Sequence, residues 1–326
     1  MIEGMEILGE NLNATRKLLK TSRRLIARDG KTFLRYGDAD GREAFLDLTA
    51  AKEKADANSD RLLPHVAEGV RRRDARWAQG AAAAQIRAGA DFIDLCVDEM
   101  TTHSDQRWEH LRWLIDTVAP VVGDAPVAID SSDSELIRRG LARLAELGKR
   151  AMVNSINLEP DRQALAPDAA RYNALVVAGA SGRRGLPASA DERVANLDEL
   201  QAVMDAAGIP PPHRYLDPLV LPIATDPENG NHFFHATRAL RAQCPGVHII
   251  GGLSNVSFGL PNRAALNRAM MWLFRKYGGD AAIVDPLQVE GFQTDDPAFS
   301  HAVEALEGRD LYCAEYVAFC RGQSTG

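Results

Sequence analysis

The side chains best suited to chemistry in this sequence are carboxylates and carboxamides that close short apolar runs. They are Asn11 and Asn13 at the end of MEILGENLN, Asp94 and Cys96 in FIDLCV, Asp130 in PVAID, Asn154 in AMVNSI, Asp217 in YLDPLV and Asn255 after VHIIGGLS. Such groups cost several kcal/mol when buried unless water or a ligand satisfies them. A carboxylate accepts two parallel N–H bonds and so suits an amino-pyrimidinone or guanidine edge. Carboxamides donate and accept, which suits ring carbonyls and ring nitrogens together. Gathered in one cup, this set describes a flat heterocycle of pterin or purine type. Phosphate is not the expected ligand, because no GxGxxG or GxxxxGK[ST] loop follows any of the runs. His232 and His235 lie three apart and His103 follows another run, yet none has a third ligand at metal-binding spacing, so no metal is expected.

Those residues need elements that bring them to one place. Apolar strands are read at Met5–Leu12, Phe92–Val97, Pro126–Asp130, Ala151–Ile156, Ala174–Ala178, Tyr215–Val220, Val247–Leu253 and Ala281–Val284. Amphipathic helices separate them over 70–89, 105–122, 134–147, 161–171, 191–207, 232–243 and 263–277, and a last helix covers 297–320. Strands alternating with helices imply a parallel sheet, and eight such units fit a closed (β/α)8 TIM barrel. In that fold the C-terminal strand ends share one face, which is where the polar termini fall. One domain is expected over 1–326, with an insertion at about 14–69 after the first strand. Within the insertion Lys31–Tyr36 and Arg42–Leu48 flank a Gly-Asp-Ala-Asp-Gly turn and form a hairpin, read as a lid or a docking surface.

The segment Val247–Arg263, VHIIGGLSNVSFGLPNR, has two readings. It is the floor of a site presenting Ser254, Asn255, Ser257, Asn262 and Arg263, or it is a strand-to-helix loop in which Asn262 caps the next helix. The other polar strand ends favour the first.

Composition narrows the class. Hydrophobic content of 45% and charged content of 25% belong to a globular chain, and the net charge of −7 gives no nucleic-acid footprint. Four cysteines, at 96, 244, 313 and 320, form no CxxC pair. No apolar stretch is long enough to span a bilayer and no leader pattern opens the chain, so a cytoplasmic location is expected.

The strings GENLN (9–13), AIDSS (128–132), MVNSIN (152–157), YLDPLVLP (215–222), GLSNVSFGLPNR (252–263) and LNR (266–268) occur in an order that resembles the pterin-binding, dihydropteroate-synthase-like methyltransferases. The resemblance is to the methyltetrahydrofolate:corrinoid protein methyltransferases in particular. It implies a dihydropteroate-synthase-like barrel whose substrate is tetrahydrofolate or methyltetrahydrofolate. It implies a cobalamin carried by a separate corrinoid protein, since the chain has no DxHxxG cobalamin loop, and a homodimer. It assigns ring binding to Asn13, Asp130, Asn154 and Asp217. Asn255 takes the ring nitrogen that bears the methyl group and is the catalytic residue, with Arg263 near it. Glu10, Asp94, Cys96, Ser257 and Asn262 are further candidates. The methyl group is expected to move either from methyltetrahydrofolate to cob(I)alamin or from methylcob(III)alamin to tetrahydrofolate. The alternatives are a pterin-binding subunit without turnover and a dihydropteroate synthase. The second lacks its phosphate-binding residues here, because SNVS and Asp285-Pro286 stand in their place.

Overall fold

The structure, a computed structural model, describes residues 4–289 and 296–323. Strand β1 (Glu6–Asn13) leads into a segment holding β2 (Leu18–Leu19), β3 (Leu25–Arg28), β4 (Lys31–Gly37), β5 (Glu43–Asp47), α1 (Thr49–Ala57) and β6 (Leu62–Leu63). Helices α2 (His65–Arg71) and α3 (Ala75–Arg87) return the chain to β7 (Phe92–Cys96). Next come α4 (Ser104–Val118), β8 (Val127–Asp130), α5 (Ser134–Glu146) and β9 (Ala151–Ile156). Helices α6 (Pro160–Gln163) and α7 (Ala166–Arg171) precede β10 (Leu175–Gly179), α8 (Ala190–Ala206), β11 (Arg214–Asp217) and α9 (Asn229–Gln243). The last units are β12 (His248–Ile249), α10 (Arg263–Lys276), β13 (Ala281–Val284), α11 (Pro297–Leu306) and α12 (Ala314–Gln323).

Eight parallel strands run in the order β12-β11-β10-β9-β8-β7-β1-β13. A bridge between Gly252 and Ile283 joins the two ends, and the Ile283 amide donates to the Gly251 carbonyl at 2.9 Å. The expected (β/α)8 barrel is the observed fold. Its interior follows from the two-residue period of a strand. Leu8, Phe92, Ala128, Met152, Leu175, Val177, Tyr215, Ile250 and Ala281 make a buried apolar cluster inside the barrel. Two residues further along the same pleat face come Asp94, Asp130, Asn154 and Asp217. The apolar layer is thus the bed on which the polar cup rests. The helices bury their apolar stripes against the outer strand faces in a second, larger core.

Three elements differ from the sequence reading. The seventh strand was expected over Val247–Leu253, yet the ladder to β11 holds only His248–Ile249, and beyond it the Gly251-Gly252 pair keeps a single bridge to β13. The helix expected over 70–89 is two helices, and Asp74 caps the second by accepting from the Trp77 amide at 2.9 Å. The final helix breaks at Gly308, whose φ of +72° ends α11.

The expected 31–48 hairpin forms, with Phe33 opposite Asp47 and Gly37 opposite Glu43. A third strand, β3, which the sequence did not announce, extends it. The sheet packs on the flank of the barrel against α3. Its turn abuts Gly80, where a Cβ would stand 2.5 Å from the Gly37 carbonyl, and Asp38 pairs with Arg76 at 2.7 Å. The part of the insertion at the mouth is the small β2–β6 ribbon, which brings Leu62 to a cavity wall. Among the described residues no helix is long and apolar enough to cross a membrane.

Candidate active site

The inward face of β7 ends in Asp94, only 1% exposed, and its partner is Asn154 of β9, whose Nδ2 donates to Asp94 Oδ1 at 3.2 Å. Asp130, at the tip of β8 between them, accepts from Asn13 Nδ2 at 3.0 Å and from the Cys96 thiol. Asn13 is fixed in turn, because its Oδ1 accepts from the Thr15 amide and hydroxyl at 3.0 and 2.7 Å. Asp217 ends β11 on the far side of the cup and accepts from the Leu219 amide at 2.8 Å. Asn13, Asp94, Cys96, Asp130 and Asn154 therefore form one bonded group at the mouth, with Asp217 across from them.

Burial sets their charge state. It pushes the Asp130 carboxyl up to about 7, with the carboxylate of Asp98 adding to the effect. Asp94 is raised well above the usual carboxylate range by burial and then by Asp130, so the two oppose each other's ionisation. Asp217 rises to about 7 by burial, although the nearby Arg193 pulls the other way. The Cys96 thiol is pushed up by burial and by Asp130, which makes it a hydrogen-bond donor to that acid and a poor nucleophile. The cup thus holds more acid than it can ionise alone, and N–H donors from a ligand would relieve it.

Glu10 and Asn11 leave β1 on the other side of the mouth. They owe their place to Gly9, where a Cβ would meet Gln85 Oε1 at 2.5 Å. That close approach lets Gln85 of α3 accept from the Asn11 amide at 2.9 Å, at the point where the β1 register shifts. Glu10 then pairs with Arg16 at 2.7 Å, while Asp285 takes Arg16 at 3.2 Å and Asn11 Nδ2 at 2.6 Å. Burial raises the Glu10 carboxyl against the pull of Arg16.

A cavity of about 850 Å³ opens beside the acidic cup, and its walls include Glu10, Arg16, Asn255, Phe258, Arg263 and Asp285. Asn255 stands exposed in a 3-10 turn, Leu253–Ser257, and no hydrogen bond to its side chain is seen among the described residues. Arg263 does not reach into the cup. Its guanidinium lies 4.5 Å over the Phe258 ring, donates from Nε to Ser257 Oγ at 2.9 Å and from Nη2 to the Ser254 carbonyl at 2.9 Å. Ser257, fully buried, also donates to Asn267 Oδ1 at 2.7 Å. Asn262 occupies the N-cap position of α10 in a left-handed conformation (φ 42°, ψ 51°), yet its side chain makes no capping bond.

Several supporting residues were not legible in the sequence. Asp98 accepts from the Ser131 hydroxyl (2.6 Å), the Ser132 amide (2.7 Å) and the Ser132 hydroxyl (2.7 Å), tying the ends of β7 and β8 together. Arg162, 6% exposed, donates to the Ser155 carbonyl beneath Asn154. Arg193, fully buried, donates to the Pro218 carbonyl at 2.9 Å just beyond Asp217. Only a second Asp four residues past Asp94 and Ser131 next to Asp130 hinted at the first of these. His232 and His235 lie on α9, and no group of three or more His, Cys, Asp or Glu residues placed to hold a metal ion occurs among the described residues.

Residues 65–285, from α2 through the last barrel strand, match the family model described as pterin binding enzyme. The chain belongs to the pterin-binding enzyme family. It is 30% identical over 265 residues to a methylcorrinoid:tetrahydrofolate methyltransferase of Eubacterium limosum, spanning 80% of this chain and 93% of that protein. Solved structures similar to this chain share the barrel. A dihydropteroate synthase from Coxiella burnetii in complex with pteroic acid superimposes with a TM-score of 0.53 at 13% identity, over 94% of this chain and 93% of that one. The Xanthomonas albilineans enzyme in complex with 7,8-dihydropteroate gives 0.52 at 17% identity, over 74% and 86%.

Proposed function

We propose that this chain transfers a methyl group from a methylcorrinoid, carried on a separate protein, to the ring nitrogen of tetrahydrofolate. The observation that carries the reading is the side-by-side arrangement at one barrel mouth of two unlike parts. One is a cup of buried acids and amides suited to a pterin ring, and the other is an exposed carboxamide, Asn255, on a cavity wall. The name of the Eubacterium limosum relative supports both the substrate pair and the direction.

In the cup, Asp130, Asn154 and Asp217 face the amino-pyrimidinone edge, with Asn13 and Asp94 holding Asp130 and Asn154 in place. Binding there fixes the ring so that its methyl-accepting nitrogen points towards Asn255. The nitrogen lone pair attacks the methyl carbon, the cobalt–carbon bond breaks with its electron pair left on cobalt, and the nitrogen gives up its proton to solvent water at the open mouth. The Asn255 carbonyl accepts a hydrogen bond from that N–H. The bond strengthens as positive charge develops on nitrogen, so it stabilises the transition state more than the bound substrate. In the reverse direction the same contact stabilises the protonated amine that must leave.

Dihydropteroate synthesis expels an anionic diphosphate. The residues that would hold its phosphates in such a synthase are replaced here by SNVS after the seventh strand and Asp285-Pro286 after the eighth. The test is spectroscopic. Tetrahydrofolate mixed with this protein and methylcobalamin, free or loaded on a corrinoid protein, should convert the methylcob(III)alamin bands into those of cob(I)alamin. Tight tetrahydrofolate binding without conversion in either direction would leave a binding subunit and overturn the reading.

A further inference from the structure

Helix α12 lies beyond the strand–helix units of the barrel and beyond the part that matches the family model, yet it reaches the mouth. Tyr316, fully buried, points its hydroxyl at the carbonyl oxygens of Asn262 (2.7 Å) and Pro261 (3.2 Å). A phenol has one proton to give, so the nearer Asn262 carbonyl is the main acceptor and Pro261 shares it weakly. The helix is anchored for this task. Asp310, buried, accepts from the Glu315 amide at 3.0 Å and the Tyr316 amide at 2.8 Å, and the buried Cys320 thiol also shares a hydrogen bond with the Tyr316 hydroxyl.

The loop it touches has little to hold it from within. Asn262 adopts a left-handed conformation and contributes no side-chain cap to α10, so the local bond at the turn into the helix is the Ala265 amide donating to the Asn262 carbonyl at 3.1 Å. The next residue, Arg263, is the one that ties down Ser254 and Ser257 on either side of Asn255. The contacts therefore run in one line, from Tyr316 to the Asn262 carbonyl, from there to the Arg263 guanidinium, and on to the Asn255 turn.

We propose that Tyr316 is a positioning residue for methyl transfer, setting the place of the Asn255 carboxamide through the Pro261–Arg263 turn. The proposal rests on the role given above to Asn255. A hydroxyl that merely satisfies a buried ring would lack this selective effect, and its loss would soften the molecule without separating binding from turnover.

The substitution Tyr316→Phe keeps the ring and removes the hydroxyl. Amide exchange of the full chain should then be about five- to tenfold faster at Phe258, Leu260 and Ala265, with β7 and β9 unchanged, as expected for one lost hydrogen bond. Transfer from free methylcobalamin to tetrahydrofolate should fall about tenfold in kcat while KM for tetrahydrofolate stays within about twofold. Asp310→Asn, which loosens the foot of α12, should reproduce the pattern more weakly and serves if Tyr316→Phe does not fold. Unchanged exchange in the loop, an even rise across the barrel, or a faster loop with normal turnover would each overturn the proposal. A wild-type protein that binds tetrahydrofolate yet transfers nothing would instead refute the function assigned to Asn255. The exchange data alone would then decide whether Tyr316 holds the turn.

Discussion

The acidic cup and the Asn255 turn share one mouth but are built on opposite plans. The cup is part of the barrel wall, with its carboxyls buried, bonded to neighbouring strand ends and seated on an apolar layer that reaches down to Tyr215 and Phe92. The turn lies outside the sheet, exposes its functional side chain, and is held by side chains from elsewhere: Arg263, Asn267 and Tyr316. A wall residue can bind tightly because the fold has already fixed it. A turn residue can follow charge as it develops, provided that its supports keep it near the reacting atom. Under the proposed function, the contrast places affinity in the cup and rate in the turn.

The sharpest way to break that division is Asn255→Ala. Turnover should fall about 10²- to 10³-fold, the scale seen when a donor or acceptor aimed at a developing charge is lost, with the tetrahydrofolate Kd within about threefold. Equal losses in both quantities would merge the two regions into one. Next in size is Asp217→Asn, which leaves a ring donor unpaired and should weaken tetrahydrofolate by about 1–3 kcal/mol in a calorimetric titration. An unchanged Kd would remove Asp217 from the cup.

The same contrast can be tested through charge, with pH. Asp130 and Asp217 hold their protons in the fold up to about 7, whereas the unfolded chain releases them near 3.8. Their contribution to stability is therefore fully present below about pH 4 and is lost as pH rises through about 7. A ring that presents N–H donors binds the ionised form. Tetrahydrofolate affinity should accordingly rise with pH, by at most about tenfold per unit for each carboxyl, and level off above about 7. A flat Kd from pH 5.5 to 8.5 would show that the cup is already ionised when empty.

The cup was legible in the sequence for a reason the fold makes plain. Strand period two places Phe92, Asp94 and Cys96, or Met152 and Asn154, on one face, so polar residues closing apolar runs declare their own direction. The strand ends converge because a barrel has only one C-terminal rim. Asn255 was legible as a residue, but the geometry that supports it was not. Its partners come from α10 and from α12, and nothing in local spacing says that Tyr316 meets Asn262. The same holds for Asp98 and Arg193, each of which secures a strand end from a neighbouring unit. The split of the last helix and the early end of β12 were obscured because apolar runs through glycine look continuous in a sequence.

The bond from Tyr316 to Asn262 also bears on how the molecule is made. The two residues are 54 positions apart, and the barrel strands all precede the tyrosine. A chain leaving the ribosome can fold its wall and fill its acidic cup before α12 has emerged. The turn that carries Asn255 is locked only afterwards. Under the function proposed above, a half-made copy would therefore grip a pterin before its Asn255 turn is fully set, and α12 would complete the arrangement afterwards.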